Sequence, residues 1–123
     1  MGTARESLEK MVGRMNGNKK VEDMFITDVG GKSIEWNMTF QFNLDNEDPF
    51  HLIIKGLKAS VIDGTTAEAP IVLSGNNEAI IRICQGKGDF THAISREQIT
   101  VETGKVMDVI RLTKAITIVL KTN

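Results

Sequence analysis

Ala69-Pro70-Ile71-Val72-Leu73-Ser74 is a short apolar run rich in β-branched residues, and Asn76-Asn77-Glu78-Ala79-Ile80-Ile81-Arg82-Ile83-Cys84-Gln85-Gly86 follows it with helical spacing and a glycine stop. A second short helix then opens on an acidic cap, Asp89-Phe90-Thr91-His92-Ala93-Ile94. Gln98-Ile99-Thr100-Val101-Glu102 alternates as a half-buried strand does, and a longer amphipathic segment begins after Gly104. From Ala69 to Leu112 the order is therefore strand, helix, Gly-x-Gly turn, helix, strand, helix.

Working back from this stretch, Ser7 to Asn16 places Leu8, Met11, Val12 and Met15 on one helical face, with Gly17 as its stop. Val21 to Thr27 reads as a strand, and Asp28-Val29-Gly30-Gly31-Lys32-Ser33 has the chemistry of a hairpin loop. The clearest alternation comes next. Ile34, Trp36, Met38, Phe40, Phe42 and Leu44 interleave with Glu35, Asn37, Thr39, Gln41 and Asn43, which predicts a strand of 11 residues with one oily face and one wet face. Asn46-Glu47-Asp48-Pro49 ends it. Phe50 to Lys55 and Lys58 to Ile62 form two more strands around Gly56, and Gly64-Thr65-Thr66 is another turn. An antiparallel meander followed by helices is the α+β pattern.

At 123 residues the chain is expected to form a single domain, 1–123, that buries roughly two thirds of its unfolded surface. A formal charge of −1 with no basic stripe speaks against a general nucleic-acid partner. One cysteine, Cys84, makes no internal disulfide, and no apolar signal core opens the chain, so a cytoplasmic setting is expected. No run of about 18 apolar residues is present to span a bilayer.

The oily strand face must accept three or four helices whose inward residues are mostly isoleucine, methionine and phenylalanine. Such flexible side chains fill irregular space loosely. Two arrangements satisfy this: a fully packed core, or helices and sheet that leave an apolar cleft for a ligand.

Lys55 to Gly64, Ala69 to Ile83 and Gln85 to Ile94 together resemble the sterol carrier protein type-two (SCP-2) domain family. The likeness spans Val21 to Leu112 and rests on element order and spacing: an apolar strand, a capped helix of about ten residues, a Gly-Lys turn, a short helix, an extended segment and an amphipathic last helix. It implies a mainly antiparallel five-stranded sheet covered on one face by helices, with a hydrophobic tunnel between the layers. Fatty acyl chains, acyl-CoA, sterols or phospholipids are the ligand classes it implies. The chain departs from the family at Thr103-Gly104-Lys105, where Gly-Asp or Gly-Asn is usual. It departs again at Thr117-Ile118-Val119-Leu120, which is β-branched enough to be an extended tail instead of the end of the last helix.

Catalytic motifs are not recognisable. Gly30-Gly31-Lys32-Ser33 ends like a phosphate-binding loop, but Ile26 stands where the motif needs its first glycine. Asn37-Met38-Thr39 spells a glycosylation sequon inside a strand. His51 and His92 lack metal-ligand or nucleophile partners at suitable spacing, and Cys84 sits in an apolar helix with no adjacent base. Gly86-Lys87-Gly88 could offer amides to an anion, yet Asp89 already caps that helix end. Arg82 and Lys87 are the better polar candidates, as rim cations for a carboxylate or phosphate head.

The reading is thus a non-enzymatic hydrophobic-ligand binding or transfer domain with no cofactor and no metal. The expected lining is Trp36, Met38, Phe40, Ile80, Ile81, Cys84, Phe90, Met107 and Ile110. Transient membrane contact and a homodimer are the further partner expectations. The alternative is an interaction module whose cleft is filled by its own C-terminal segment or by a partner subunit, motivated by the apolar run Ile116 to Leu120.

Overall fold

The computed structural model describes residues 3–121. Two helices come first, α1 (Ala4–Met15) and α2 (Lys19–Met24), followed by a hairpin of β1 (Ile26–Val29) and β2 (Lys32–Glu35). Strands β3 (Met38–Leu44), β4 (Phe50–Lys55) and β5 (Lys58–Asp63) form the meander, and β6 (Ile71–Gly75) leads to α3 (Asn77–Cys84) and α4 (Phe90–Ser95). The chain closes with β7 (Ile99–Thr103) and α5 (Val106–Lys121).

The main sheet has five strands in the order β5-β4-β3-β6-β7. All neighbours are antiparallel except β3 and β6, which run parallel, so the five-stranded sheet is mainly antiparallel, as expected, with one parallel pair. After the meander, the chain crosses from β5 at one edge to the free side of β3 and pairs there as β6.

Register places Phe40 opposite Leu52 and Ile71, and Phe42 opposite Phe50 and Leu73, so these six apolar side chains share one face with Ile54 and Ile99. All are buried under the helices, and this layer is the core. The opposite face carries Thr39, Asn43 and Ser74, with Gln41 and His51 buried by the segment that returns from β5. There Thr66 N donates to Gln41 Oε1 at 2.9 Å, and His51 Nδ1 lies 3.0 Å from the Gly64 carbonyl oxygen. This pairing makes His51 a positioned sheet residue.

Two expectations need correction, and one open alternative is decided. Val21 to Thr27 is not one strand: Asn18 caps a helix by accepting from Lys20 N and Val21 N, Val21 is buried, and only Ile26 onward is extended. Nor does the 11-residue strand from Ile34 to Leu44 form, because the chain breaks at Trp36-Asn37. Trp36 N donates at 2.7 Å to the Phe25 carbonyl oxygen, directing the backbone towards the end of α2 instead of a sheet neighbour. Ile34 therefore belongs to the separate hairpin and is 51% exposed. The segment Thr117 to Leu120, finally, is the last part of α5, with Ile116 and Val119 buried. Its 3–4 spacing from Val109, Leu112 and Ala115 outweighs the helix-averse β-branching. The apolar run that suggested a cleft-filling tail is thus already packed.

Candidate functional site

Helix α5 is the wall on which the candidate site depends. Its 16 residues span roughly 24 Å at 1.5 Å per residue, and it packs against α1, α2 and α4. Val109, Leu112, Ala115, Ile116 and Val119 form its buried stripe. Two hydroxyls bond back into the helix, Thr113 Oγ1 to Val109 O at 3.3 Å and Thr117 Oγ1 to Thr113 O at 2.9 Å. Such back-bonding slightly loosens and bends a helix.

A concavity borders each end of α5. Near its start, about 320 Å³ is lined by Met24, Met107, Asp108, Ile110, Arg111 and Lys114. Towards its end, about 290 Å³ lies against the α3–α4 turn, with Ile83, Ile116, Thr117 and Leu120 as the apolar lining. Both are grooves between elements that expose aliphatic carbon, and the first adds the thioethers of Met24 and Met107.

At the first end, an aromatic group fills the β2–β3 break. Phe25 and Phe40 pack on Trp36 with ring centroids 6.1 and 5.9 Å away. The Arg111 guanidinium carbon lies 4.4 Å from the Trp36 ring centroid, a cation–π contact. Arg111 Nε also donates to Met24 O at 2.9 Å, and Nη2 donates to Thr27 Oγ1 at 3.0 Å. Burial pulls Arg111 below its ordinary pKa, with Asp108 working the other way. One guanidinium thus ties α5 to the end of α2 and the start of β1.

At the second end, Arg82, Lys87, His92 and Arg96 gather with Asp89 around the Gly86–Gly88 turn. Asp89 is committed as a cap, accepting from His92 N at 2.8 Å, and that bond with the His92 ring holds its carboxyl below the usual range. Three cations, Arg82, Lys87 and Arg96, against one carboxylate make this an electropositive rim. The two rim cations read from sequence, Arg82 and Lys87, are here brought together.

Of the nine expected lining residues, Phe40, Ile80 and Phe90 are fully buried, and Trp36 and Cys84 nearly so. Met38, Ile81 and Ile110 are partly buried at the margin of the core, while Met107 is 71% exposed. Trp36 and Phe40 are in contact, and Met107 and Ile110 share a groove. Burial pushes the Cys84 thiol up to about 12, so at neutral pH it is a packed apolar group and no nucleophile. Among the described residues, no group of three or more His, Cys, Asp or Glu could hold a metal ion.

Sequence reasoning did not place Met24 or Arg111 at the site, and it read Ile116, Thr117 and Leu120 as a cleft-filling run instead of a groove wall. A signal for Arg111 existed: a cation enclosed by Val109, Ile110 and Leu112 in an amphipathic helix. Its partners, 75 and more residues earlier, gave no such sign.

No protein-family profile matches the chain, and no curated protein does either. Solved structures do match. The ubiquinone synthesis protein UbiJ-SCP2 aligns over 94% of both chains with a TM-score of 0.68 and 9% identity. Sterol carrier protein-2 of Aedes aegypti, solved in complex with the C16 fatty acid palmitate, aligns over 94% of this chain and 96% of its own, with a TM-score of 0.60 and 16% identity. An inverting sec-alkylsulfatase from Pseudomonas matches over 66% of this chain with a TM-score of 0.54 and 13% identity, and the chain spans only 12% of that enzyme's length. The chain has the SCP-2 fold.

Proposed function

We propose, from a fold shared end to end with a palmitate-holding carrier, that this protein binds and carries a lipid-like molecule between α5 and the layer formed by the sheet with α3 and α4. That full-length agreement with the Aedes aegypti structure is the observation that carries the reading. The grooves at the two ends of α5 support it, since they flank a length of helix comparable to a long acyl chain.

The driving force is burial of hydrocarbon. At about 25 cal/mol per Å², a chain that removes roughly 300 Å² of apolar surface from water gains on the order of 7 kcal/mol before association costs. Micromolar affinity follows without a dedicated head-group contact, and methionine and isoleucine walls make chain-length selectivity loose. Trp36, Met38, Phe40, Ile80, Ile81, Cys84, Phe90, Met107 and Ile110 line the path. Phe40, Ile80 and Phe90 lie at its deepest part, and a ligand reaches them when α5 shifts outward. No acid, base or nucleophile pair is needed, so the role is binding and transfer and not chemistry.

Native mass spectrometry of gently purified protein tests this. A co-purifying lipid of stoichiometry one, or uptake of added palmitate, is expected. Clean protein that takes up no fatty acid and instead dimerises would replace the carrier reading by the interaction module.

A further inference from the structure

Trp36 is nine-tenths buried, yet its indole Nε1–H has no hydrogen-bond partner. A buried donor left unmet is rare, because its lost bond to water is not replaced. Its surroundings are unusual too. The Arg111 guanidinium covers the ring at 4.4 Å, and of its nitrogens Nε and Nη2 bond to Met24 O, Ile26 O and Thr27 Oγ1 while Nη1 takes no part in those bonds. The groove of about 320 Å³ beside Arg111 is walled by Met24, Met107 and Ile110 and carries two cations, Arg111 and Lys114, against one carboxylate, Asp108. Its net single positive charge matches a monoanion.

We propose that this end of the protein is a head-group site, in which the carboxylate of a long-chain fatty acid accepts from the Trp36 indole and the Arg111 guanidinium while its hydrocarbon runs along α5. The proposal rests on the carrier reading and adds what that reading lacks: a polar end, an orientation and a preference for an acid over an alcohol. Met24 and Met107, which wall this groove, are unbranched and adapt to a chain that enters it. A carboxylate suits the pair because each of its oxygens accepts one strong bond, one from a cation and one from a neutral N–H. Bound, it would supply the acceptor that the buried donor now lacks.

Trp36 is the only tryptophan of the chain, so its emission reports this site directly. Delipidated protein is titrated with palmitate, with hexadecanol and with sodium acetate. Expected are saturable changes in Trp36 emission with palmitate, affinity for palmitate about tenfold above that for hexadecanol, and no saturation with acetate, the value being that of one charge-assisted hydrogen bond. Calorimetry on Trp36→Phe, which keeps the ring but removes the donor, should show palmitate losing about tenfold more affinity than hexadecanol does. Arg111→Lys keeps the charge but breaks the anchoring of α2, and it serves as a second variant once its circular dichroism matches the parent. Equal affinities for acid and alcohol, or an unchanged ratio in Trp36→Phe, would overturn the head-group site while leaving the carrier reading intact. Binding of neither ligand would overturn both.

Discussion

Glu47 shows how much a single side chain can organise in this protein. Its carboxylate accepts from Ala4 N at 2.9 Å, Arg5 N at 3.1 Å and Asn77 Nδ2 at 2.9 Å, and so caps α1 and holds α3 to the loop after β3. Glu47→Ala should cost about 1–2 kcal/mol in chemical denaturation, with Glu47→Gln losing less because one acceptor remains. Asp89 contributes to the acid limb of stability. Its folded carboxyl is held below the ordinary value by the His92 N–H, so its contribution is complete above the unfolded pKa of about 3.9 and fades as pH falls through the folded one. Urea melts of Asp89→Asn should therefore approach those of the parent in strong acid and fall below them at neutral pH.

Between elements, close approaches decide what the chain tolerates. Gly75 ends β6 with φ +134°, and a Cβ there would strike the carbonyl oxygen of Gln98, the residue just before β7. Gly75→Ala should destabilise by about 3 kcal/mol, since both the positive φ and backbone crowding oppose it. Gly13, by contrast, has open space around it and an ordinary φ, so Gly13→Ala in the last turn of α1 should stabilise by about 0.5 kcal/mol. Thermal denaturation of the two variants would show shifts of opposite sign. The β1–β2 hairpin teaches the same point: Gly30 and Gly31 both have positive φ, the conformation that a tight two-residue turn demands, and the loop from Asp28 to Ser33 was legible for that reason.

The proposed ligand uptake is a property of the assembled protein. Met38→Asp or Ile81→Asp, at the partly buried margin of the core, should abolish uptake of a fluorescent fatty acid while the fold, read by circular dichroism, persists. Unchanged uptake would remove those positions from the path. Most of the second half of the fold was readable from residues alone: the strand at Ile71, the Asn76- and Asp89-capped helices and the strand at Ile99 each announced themselves by local period and cap. The candidate site was readable only in part. Phe40 and Ile80 follow from alternation and helical spacing, whereas Arg111, Met24 and the orphan indole of Trp36 depend on segments more than 70 residues apart meeting in space. Periodicity and capping are properties of neighbouring residues, so they dictate which segments are strands or helices and which face is oily. Which side of β3 receives β6, why Trp36 leaves the strand its alternation assigns it to, and where a guanidinium meets that ring arise from long-range closure, in which competing partners differ by packing and hydrogen-bond satisfaction that no short window of sequence contains.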